Sequence, residues 1–296
     1  GVVSLNLPQI AITADKDMEL FWDMLDQRLE LCKDALMIRH NMLLGTSSDV
    51  SPIHWQHGAI ARLGKGEKID KYLKDGYSTL SLGYVGVCEM VYAMLGVSHT
   101  TPEGEKFALE VMNHMEDKCM EWKKETGLGF GLYGTPAENL IYRFCRLDKA
   151  RFGEIKNVTD RLYYTNSYHV HVCEEIDAFS KLKFESQFHD ISLGGCISYI
   201  EVPDMSKNIE AVEDIINFIY HNIQYAEINT KPDICYKCGY TGEIQLNKGD
   251  LTWHCPSCGN SDENEMQVMR RTCGYIGTNF WNKGRTAEIG DRVLHL

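Results

Sequence analysis

Four cysteines near the carboxyl terminus constrain the fold of this 296-residue chain more than any other feature. The pairs Cys235/Cys238 and Cys255/Cys258 are separated by sixteen residues, and a glycine follows each pair. Two such turns aim four thiolates at one tetrahedral point, and the glycine lets the backbone curl so that its amides face the sulfurs. The spacing predicts a zinc site rather than two disulfides or four free thiols. Four protein sulfurs leave zinc no open position, so we expect the metal to be structural.

A zinc ribbon that binds nucleic acid or protein is an alternative interpretation of the same cysteines. The turn between the pairs, residues 247–250, carries one lysine and one aspartate, and acidic residues follow at Asp262, Glu263 and Glu265. The whole chain has 30 basic and 42 acidic residues and a net charge of −12. Binding to phosphates requires a basic surface, so these charges argue against a nucleic-acid partner.

The remaining composition favours a cytoplasmic protein without a membrane segment. An odd number of cysteines, eleven, without a secretory signal is typical of a reducing compartment. No apolar run reaches the roughly 18 residues that a bilayer span needs. The chain starts without methionine, inside a strand pattern, so we expect it to be a piece of a longer protein.

Strands and helices alternate through the first 230 residues, which predicts parallel β-α units in a sheet or barrel. A long helix is predicted to begin after Thr13, and residues 80–95 to change from strand to helix. Further strands are predicted at residues 2–12, 129–133, 167–173, 197–202 and 225–230, and further helices at residues 102–126, 135–152, 177–188 and 209–223. A change in composition near residue 232 predicts two domains, residues 1–231 and 232–296.

A glycine-containing motif, R-R-T-C-G-Y-I-G-T at residues 270–278, follows the cysteine pairs. Alone it predicts a tight turn with a positive φ at Gly274. With the four cysteines just before it, the motif resembles the glycyl-radical signature of anaerobic, class III ribonucleoside-triphosphate reductases. Four other stretches are similar to that family: S-L-N-L-P at 4–8, G-T-P-A-E at 134–138, Y-T-N-S-Y-H-V at 164–170 and F-W-N-K-G-R at 280–285.

This resemblance implies a fold and a chemistry. The chain would be the C-terminal half of the reductase: half of a ten-stranded α/β barrel followed by a small zinc-binding glycyl radical domain. Gly274 would hold a radical made by a separate iron–sulfur, S-adenosylmethionine-dependent activase. A thiyl cysteine would then take the 3′ hydrogen of a ribonucleoside triphosphate, with formate or a dithiol protein as reductant.

The same resemblance implies partners. In the family the thiyl cysteine lies upstream of the segment that this chain matches, so an N-terminal half, in the same or a separate chain, would supply it. The full enzyme would be a homodimer. An alternative function is a non-catalytic subunit that carries the radical, or a zinc ribbon that docks on a partner.

Residues 134–138 are the candidate substrate segment. Thr135, Pro136 and Glu138 match a capping box, in which threonine caps a helix, proline begins it and glutamate reaches back. A helix start preceded by Gly134 would expose backbone amides to phosphates. By resemblance, the whole segment, Ala137 included, lies at the substrate.

Asn6 is the only amide in an apolar strand pattern. If Asn6 has a purely structural role, its buried amide needs hydrogen-bond partners. The resemblance instead implies a catalytic position beside the ribose, where an amide orients a hydroxyl or the reductant.

Overall fold

The computed structural model describes residues 1–272, 274–278 and 281–296, so Cys273 and Phe280 of the motifs above lie outside the described residues. The helices are α1 Leu7–Ala14, α2 Met18–Leu43, α3 Pro52–Trp55, α4 Val87–Leu95, α5 Pro102–Thr126, α6 Leu140–Phe152, α7 Ala178–His189, α8 Ile209–Asn222 and α9 Lys283–Asp291. The strands are β1 Val2–Asn6, β2 Thr79–Val85, β3 Gly129–Gly134, β4 Ser198–Glu201, β5 Ala226–Asn229, β6 Ile234–Cys235, β7 Gln245–Asn247, β8 Thr252–His254, β9 Met266–Gln267, β10 Met269–Arg271 and β11 Ile276–Thr278.

Three parallel strands in the order β1-β2-β3 form the first sheet. Asn6 pairs with Val85, and Tyr84 pairs with Gly134, so the three strands end at the same edge. A single core that includes Leu82 and Trp122 is shared by this sheet and helices α2 and α5. The predicted parallel β-α organisation is confirmed, and it brings the segments after β1 and β3 together.

A second parallel pair, β4 and β5, packs with helices α7 and α8. Leu182, Ile200 and Ile215 are buried in its own core. Helix α5 follows its sequence signals: the Thr101 side chain accepts a hydrogen bond from the Gly104 amide at 3.2 Å, and the helix ends at a left-handed glycine.

The prediction of one strand over residues 2–12 is wrong after Asn6. The Asn6 carboxamide oxygen accepts a hydrogen bond from the Gln9 amide at 3.3 Å, and Pro8 lies in the first turn of α1. Asparagine as a cap followed by proline is a helix-start signal that the apolar run concealed. Thr13 therefore lies inside α1, and Asp17, not Thr13, caps α2.

The predicted strand at residues 167–173 is also wrong, because no strand in the described part of the chain pairs with this segment. Some of its backbone groups bond to buried side chains, and others bond to backbone outside the described strands. Glu185 accepts a hydrogen bond from the Val170 amide at 3.0 Å, and His99 Nε2 donates to the His169 carbonyl at 3.0 Å. These contacts thus replace the ladder of a sheet, although the alternating apolar pattern is that of a strand.

Glu89 binds the loop at Thr165, just before residues 167–173. Its carboxyl gives the stability of the fold a predicted dependence on pH. Its Oε1 accepts hydrogen bonds from the Thr165 amide and hydroxyl, both at 2.8 Å, and burial raises the pKa of its carboxyl to about 7. A carboxyl whose pKa is raised in the folded state contributes stability that is fully present below its pKa in the unfolded state. That stability is lost as the pH rises through 7. Glu89→Gln keeps the acceptor oxygen and removes the ionisation.

We expect urea unfolding of the wild-type chain to lose about 3 kcal/mol from this group between pH 4.5 and pH 8. The Glu89→Gln variant should lack this loss and be the more stable protein at pH 8. Parallel pH profiles of the two proteins would contradict the prediction.

The carboxyl-terminal region has its own small core. Strands β6 and β9 pair antiparallel, and β7 and β8 form a hairpin around the turn between the cysteine pairs, with Gln245 opposite His254. Trp253, Val268 and Ile289 are buried together beside two of the cysteines. Strands β10 and β11 pair antiparallel, and Thr272, Gly274 and Tyr275 lie between them. Across the described ranges, no helix is both long and apolar enough to cross a bilayer.

Candidate functional site

The four cysteine sulfurs lie within 4.8 Å of one another. Cys235 Sγ is 3.8 Å from Cys258 Sγ, and Cys238 Sγ is 3.7 Å from Cys255 Sγ. Four sulfurs around zinc with Zn–S bonds near 2.3 Å stand about 3.8 Å apart. The four cysteines therefore fit a tetrahedral zinc ion, which would cross-link the two cysteine turns.

The two cysteine turns have the same backbone geometry. The Cys235 carbonyl accepts a hydrogen bond from the Gly239 amide, and the Cys255 carbonyl accepts one from the Gly259 amide, both at 2.9 Å. Both glycines have positive φ, +74° and +70°, a conformation that side chains disfavour. The glycine after each pair is therefore required by the turn, as the sequence indicated.

The backbone of the first turn favours a thiolate. Burial raises the pKa of the Cys235 thiol, but hydrogen bonds from the Lys237 and Cys238 amides outweigh it and lower the pKa to about 6. Asn260 Nδ2 also lies 3.8 Å from Cys235 Sγ as a donor. Because zinc binds thiolates, these donors prepare the turn for the metal.

Thr272, Gly274 and Tyr275, hereafter the Gly274 loop, lie against the segment 134–138. Within the loop, the Thr272 amide donates to the Tyr275 carbonyl at 2.8 Å. Glu138 Oε1 accepts two hydrogen bonds from the loop, from the Thr272 hydroxyl at 2.6 Å and from the Gly274 amide at 3.3 Å. Gly274 itself is exposed.

The space around Gly274 does not by itself require glycine. A Cβ placed there would meet Pro136 Cβ at 3.5 Å and Glu138 Oε1 at 3.6 Å, which are the nearest atoms among the described residues and ordinary contacts. By contrast, a Cβ at Gly83 would lie 2.2 Å from the Thr135 hydroxyl. Packing against the described residues therefore explains the glycine at 83 but not the one at 274.

The capping box predicted at residues 135–138 is wrong. Helix α6 begins only at Leu140, after Asn139. The Thr135 hydroxyl lies 3.0 Å from the Ser4 hydroxyl, and the Glu138 side chain extends to the Gly274 loop instead of back toward residue 135. Helix α6 thus begins six residues after Gly134, and residues 135–139 are an irregular connection between β3 and α6.

A buried arginine that the sequence analysis did not select stands behind Glu138. Arg285 is 1% exposed, donates to the Ala137 carbonyl and to Glu288 Oε2 (2.8 Å for the latter), and places Nε 3.6 Å from Glu138 Oε2. Burial raises the pKa of Glu288, but Arg292 and Arg285 outweigh it and lower that pKa to about 2. The sequence signal for Arg285 was its place in the W-N-K-G-R stretch, which entered only as part of the family resemblance.

Asn6 lies at the carboxyl end of β1, half-buried, with both ends of its amide engaged. Its Nδ2 donates to Asp148 Oδ2 at 2.8 Å, and the same carboxylate accepts from Gln9 at 2.8 Å and from the Tyr164 hydroxyl at 3.0 Å. Asp148 is fully buried, and it was not predicted from the sequence as a site residue. Its spacing of three residues from the buried Cys145 on α6 was the available signal.

Comparison with known proteins decides the family. A family model described as "Anaerobic ribonucleoside-triphosphate reductase" matches residues 1–295. The chain belongs to the anaerobic ribonucleoside-triphosphate reductase family. The resemblance inferred from the motifs is therefore confirmed, and with it membership in a family of glycyl-radical oxidoreductases.

Curated reductases cover the whole chain. The Escherichia coli K12 anaerobic ribonucleoside-triphosphate reductase is 40% identical over 302 residues, and the enterobacteria phage T4 reductase is 38% identical over 303 residues. Both alignments include 100% of this chain but only 42% and 48% of the respective relatives. The chain thus spans less than half the length of the reductases that it matches.

Solved reductases share the fold. An anaerobic ribonucleotide reductase superposes with a TM-score of 0.72 at 22% identity, covering 99% of this chain and 44% of that one. The Thermotoga maritima anaerobic reductase with glycerol in the active site gives a TM-score of 0.66 at 21% identity, covering 94% and 41%. The mixed α/β fold is therefore that of the reductase family.

Proposed function

We propose that this chain supplies the radical glycine and the zinc site of an enzyme that reduces ribonucleoside triphosphates to 2′-deoxyribonucleoside triphosphates without oxygen. One observation carries the proposal: the loop with the R-T-C-G-Y-I-G motif lies at the carboxyl ends of the parallel strands, bonded to Glu138. Ligands of α/β folds bind at that end of the strands. A radical held at Gly274 is thereby close to the predicted substrate segment.

The chemistry of a backbone radical explains a glycine that packing against the described residues does not require. A Cα radical is stabilised between an amide nitrogen and a carbonyl when the centre is planar. A side chain at that carbon would oppose planarity. Gly274, whose surroundings among the described residues accept a Cβ, is therefore a glycine by chemical need. An iron–sulfur activase that uses S-adenosylmethionine is the proposed source of the radical.

The proposed role of zinc is structural. When bound, the metal cross-links the two cysteine turns. Asp233, which immediately precedes β6, accepts hydrogen bonds from the Ile244 amide at 2.8 Å and the Met269 amide at 2.9 Å, and it pairs with Arg270 in the interior. This buried aspartate ties the zinc-bearing strands to β10, the strand that leads into the Gly274 loop.

For the substrate, we propose residues 134–138 as the binding segment and Asn6 as the amide beside the ribose. The Thermotoga maritima reductase has been solved in complex with dATP and CTP, which supports nucleotides as ligands in this fold. Asp148 fixes the Asn6 amide, so that its orientation is set before substrate arrives. Formate or a dithiol protein is the proposed reductant.

We further propose that the sheet β1–β3 and the parallel pair β4–β5 together form half of a ten-stranded barrel, within a domain of residues 1–231. Residues 232–296 would form the zinc-binding radical domain. An N-terminal part of the reductase would complete the barrel and supply the thiyl cysteine. The proposed assembly is a cytoplasmic homodimer.

The test is reconstitution under anaerobic conditions. The chain is activated with a class III activase, S-adenosylmethionine and a reductant, and then mixed with the N-terminal half and a ribonucleoside triphosphate. We expect 2′-deoxyribonucleotide to form, and air to cleave the activated chain at residue 274, as mass spectrometry of the fragments would show.

The matched variant is Gly274→Ala. Because a Cβ meets only ordinary contacts with the described residues there, this protein should unfold within about 1 kcal/mol of wild type and yet give no product and no cleavage. Product formation by Gly274→Ala would contradict the proposal.

A further inference from the structure

Glu138 connects two segments that are far apart in sequence. Its Oε1 accepts hydrogen bonds from Thr272 and Gly274, which follow it by 134 and 136 residues. The side chain is about one-quarter exposed, so the carboxylate lies at the boundary between solvent and interior. A carboxylate that accepts two donors from one short loop restricts that loop more than a single contact would.

The second carboxylate oxygen of Glu138 faces the guanidinium of Arg285, which is held in place by other contacts. Glu138 Oε2 is 3.6 Å from Arg285 Nε, and Arg285 is held by Glu288 and by the Ala137 carbonyl. The positive charge of Arg285 is buried, and a charge so placed requires compensation by anions nearby. Arg285 therefore fixes the orientation of the Glu138 carboxylate that faces the Gly274 loop.

The backbone of Glu138 is held from the same side. Asn282 Nδ2 donates to the Glu138 carbonyl at 3.3 Å and to Asn139 Oδ1 at 2.8 Å, while Asn282 Oδ1 caps α9 through the Arg285 amide at 2.9 Å. The side chain and main chain of residue 138 are thus both fixed by the start of α9.

We infer that Glu138 is a positioning residue that holds the Gly274 loop on the segment 134–138, with Arg285 as its buried support. The inference rests on the proposed function and deepens it, because the contact sets where a radical at Gly274 would stand relative to the substrate segment. Glu138 takes this role in place of the helix cap that its sequence context suggests.

Hydrogen exchange of the unactivated 296-residue chain tests the contact. In Glu138→Ala, the Gly274 and Tyr275 amides should exchange at least about tenfold faster than in wild type. Glu138→Gln retains an acceptor oxygen and should restore exchange to within about threefold of wild type. The control is Glu154→Ala, which removes an exposed carboxylate 2.7 Å from Lys149 at the other end of α6 and should leave both amides unchanged.

A spectroscopic measurement separates positioning from a general structural role. In the activated chain, the exchangeable amide proton of Gly274 couples to the unpaired electron, and ENDOR in H2O and D2O measures that coupling. We expect the coupling to change in Glu138→Ala and to return toward the wild-type value in Glu138→Gln.

Unchanged exchange and unchanged coupling in Glu138→Ala would overturn the inference. Hydrogen exchange is measured before activation, so its result does not depend on the proposed function. A wild-type chain that never forms a radical would contradict the proposed function while the exchange result still decides the contact.

Discussion

Cys255→Ser is expected to abolish zinc binding and to unfold the zinc module, which we define as residues 233–271. Cys255 is 1% exposed and is one of four sulfurs within 4.8 Å of one another. A structural zinc contributes about 10–16 kcal/mol of apparent folding free energy in small modules, and the hydrophobic core beside it is small. Zinc content per chain should fall from one to near zero, and the fluorescence of the buried Trp253 should shift to that of an exposed indole.

The control for this variant is Cys173→Ser. Cys173 is a half-buried thiol near the Tyr163 hydroxyl, outside the zinc module. This protein should keep one zinc ion per chain and the wild-type Trp253 emission. A Cys255→Ser protein that retains one tightly bound zinc ion would show that the four sulfurs are not the metal site.

Arg292→Met is expected to lower the free energy of unfolding by about 3–5 kcal/mol, because it leaves two buried carboxylates without their main partner. Arg292 pairs with Glu201 at 2.8 Å and with Glu288 at 3.0 Å, and all three side chains are 2% exposed. It also donates to the Arg271 carbonyl at 2.8 Å, at the last residue before the Gly274 loop. Urea unfolding measures the loss.

Lys149→Met provides the comparison for a solvent-exposed ion pair. Lys149 is 2.7 Å from Glu154, and both side chains are more than one-third exposed. Exposed pairs contribute about 0–1 kcal/mol, so this variant should unfold close to wild type. Equal effects of Arg292→Met and Lys149→Met would mean that the buried network does not stabilise the fold.

Local signals in the sequence predicted the parts of the molecule that are held by local contacts. The cysteine turns close through hydrogen bonds between residues four positions apart, so the spacing and the two glycines were sufficient to predict them. The same holds for α5, whose Thr101 cap and terminal Gly127 act within one helical turn. The family resemblance rested on equally short motifs.

The parts that were predicted incorrectly depend on partners distant in sequence. Glu138 matches a capping box locally, but Thr272 and Arg285, more than 130 residues away, bind its side chain. Within residues 167–173, the side chains of Glu185 and His99 bind backbone groups that a neighbouring strand would otherwise bind. Such competition between local and distant partners is decided by tertiary packing, which a single sequence does not contain.

The central claim, that Gly274 holds the radical, is tested most directly by EPR spectroscopy of the anaerobically activated chain. We expect a doublet, split by the one hydrogen that remains on the Gly274 Cα, in wild type and in Glu154→Ala. Protein labelled with glycine deuterated at Cα should give a collapsed doublet, and Gly274→Ala should give no glycyl signal. A signal of the same splitting in Gly274→Ala, or none in the wild-type chain with its N-terminal half present, would contradict the account.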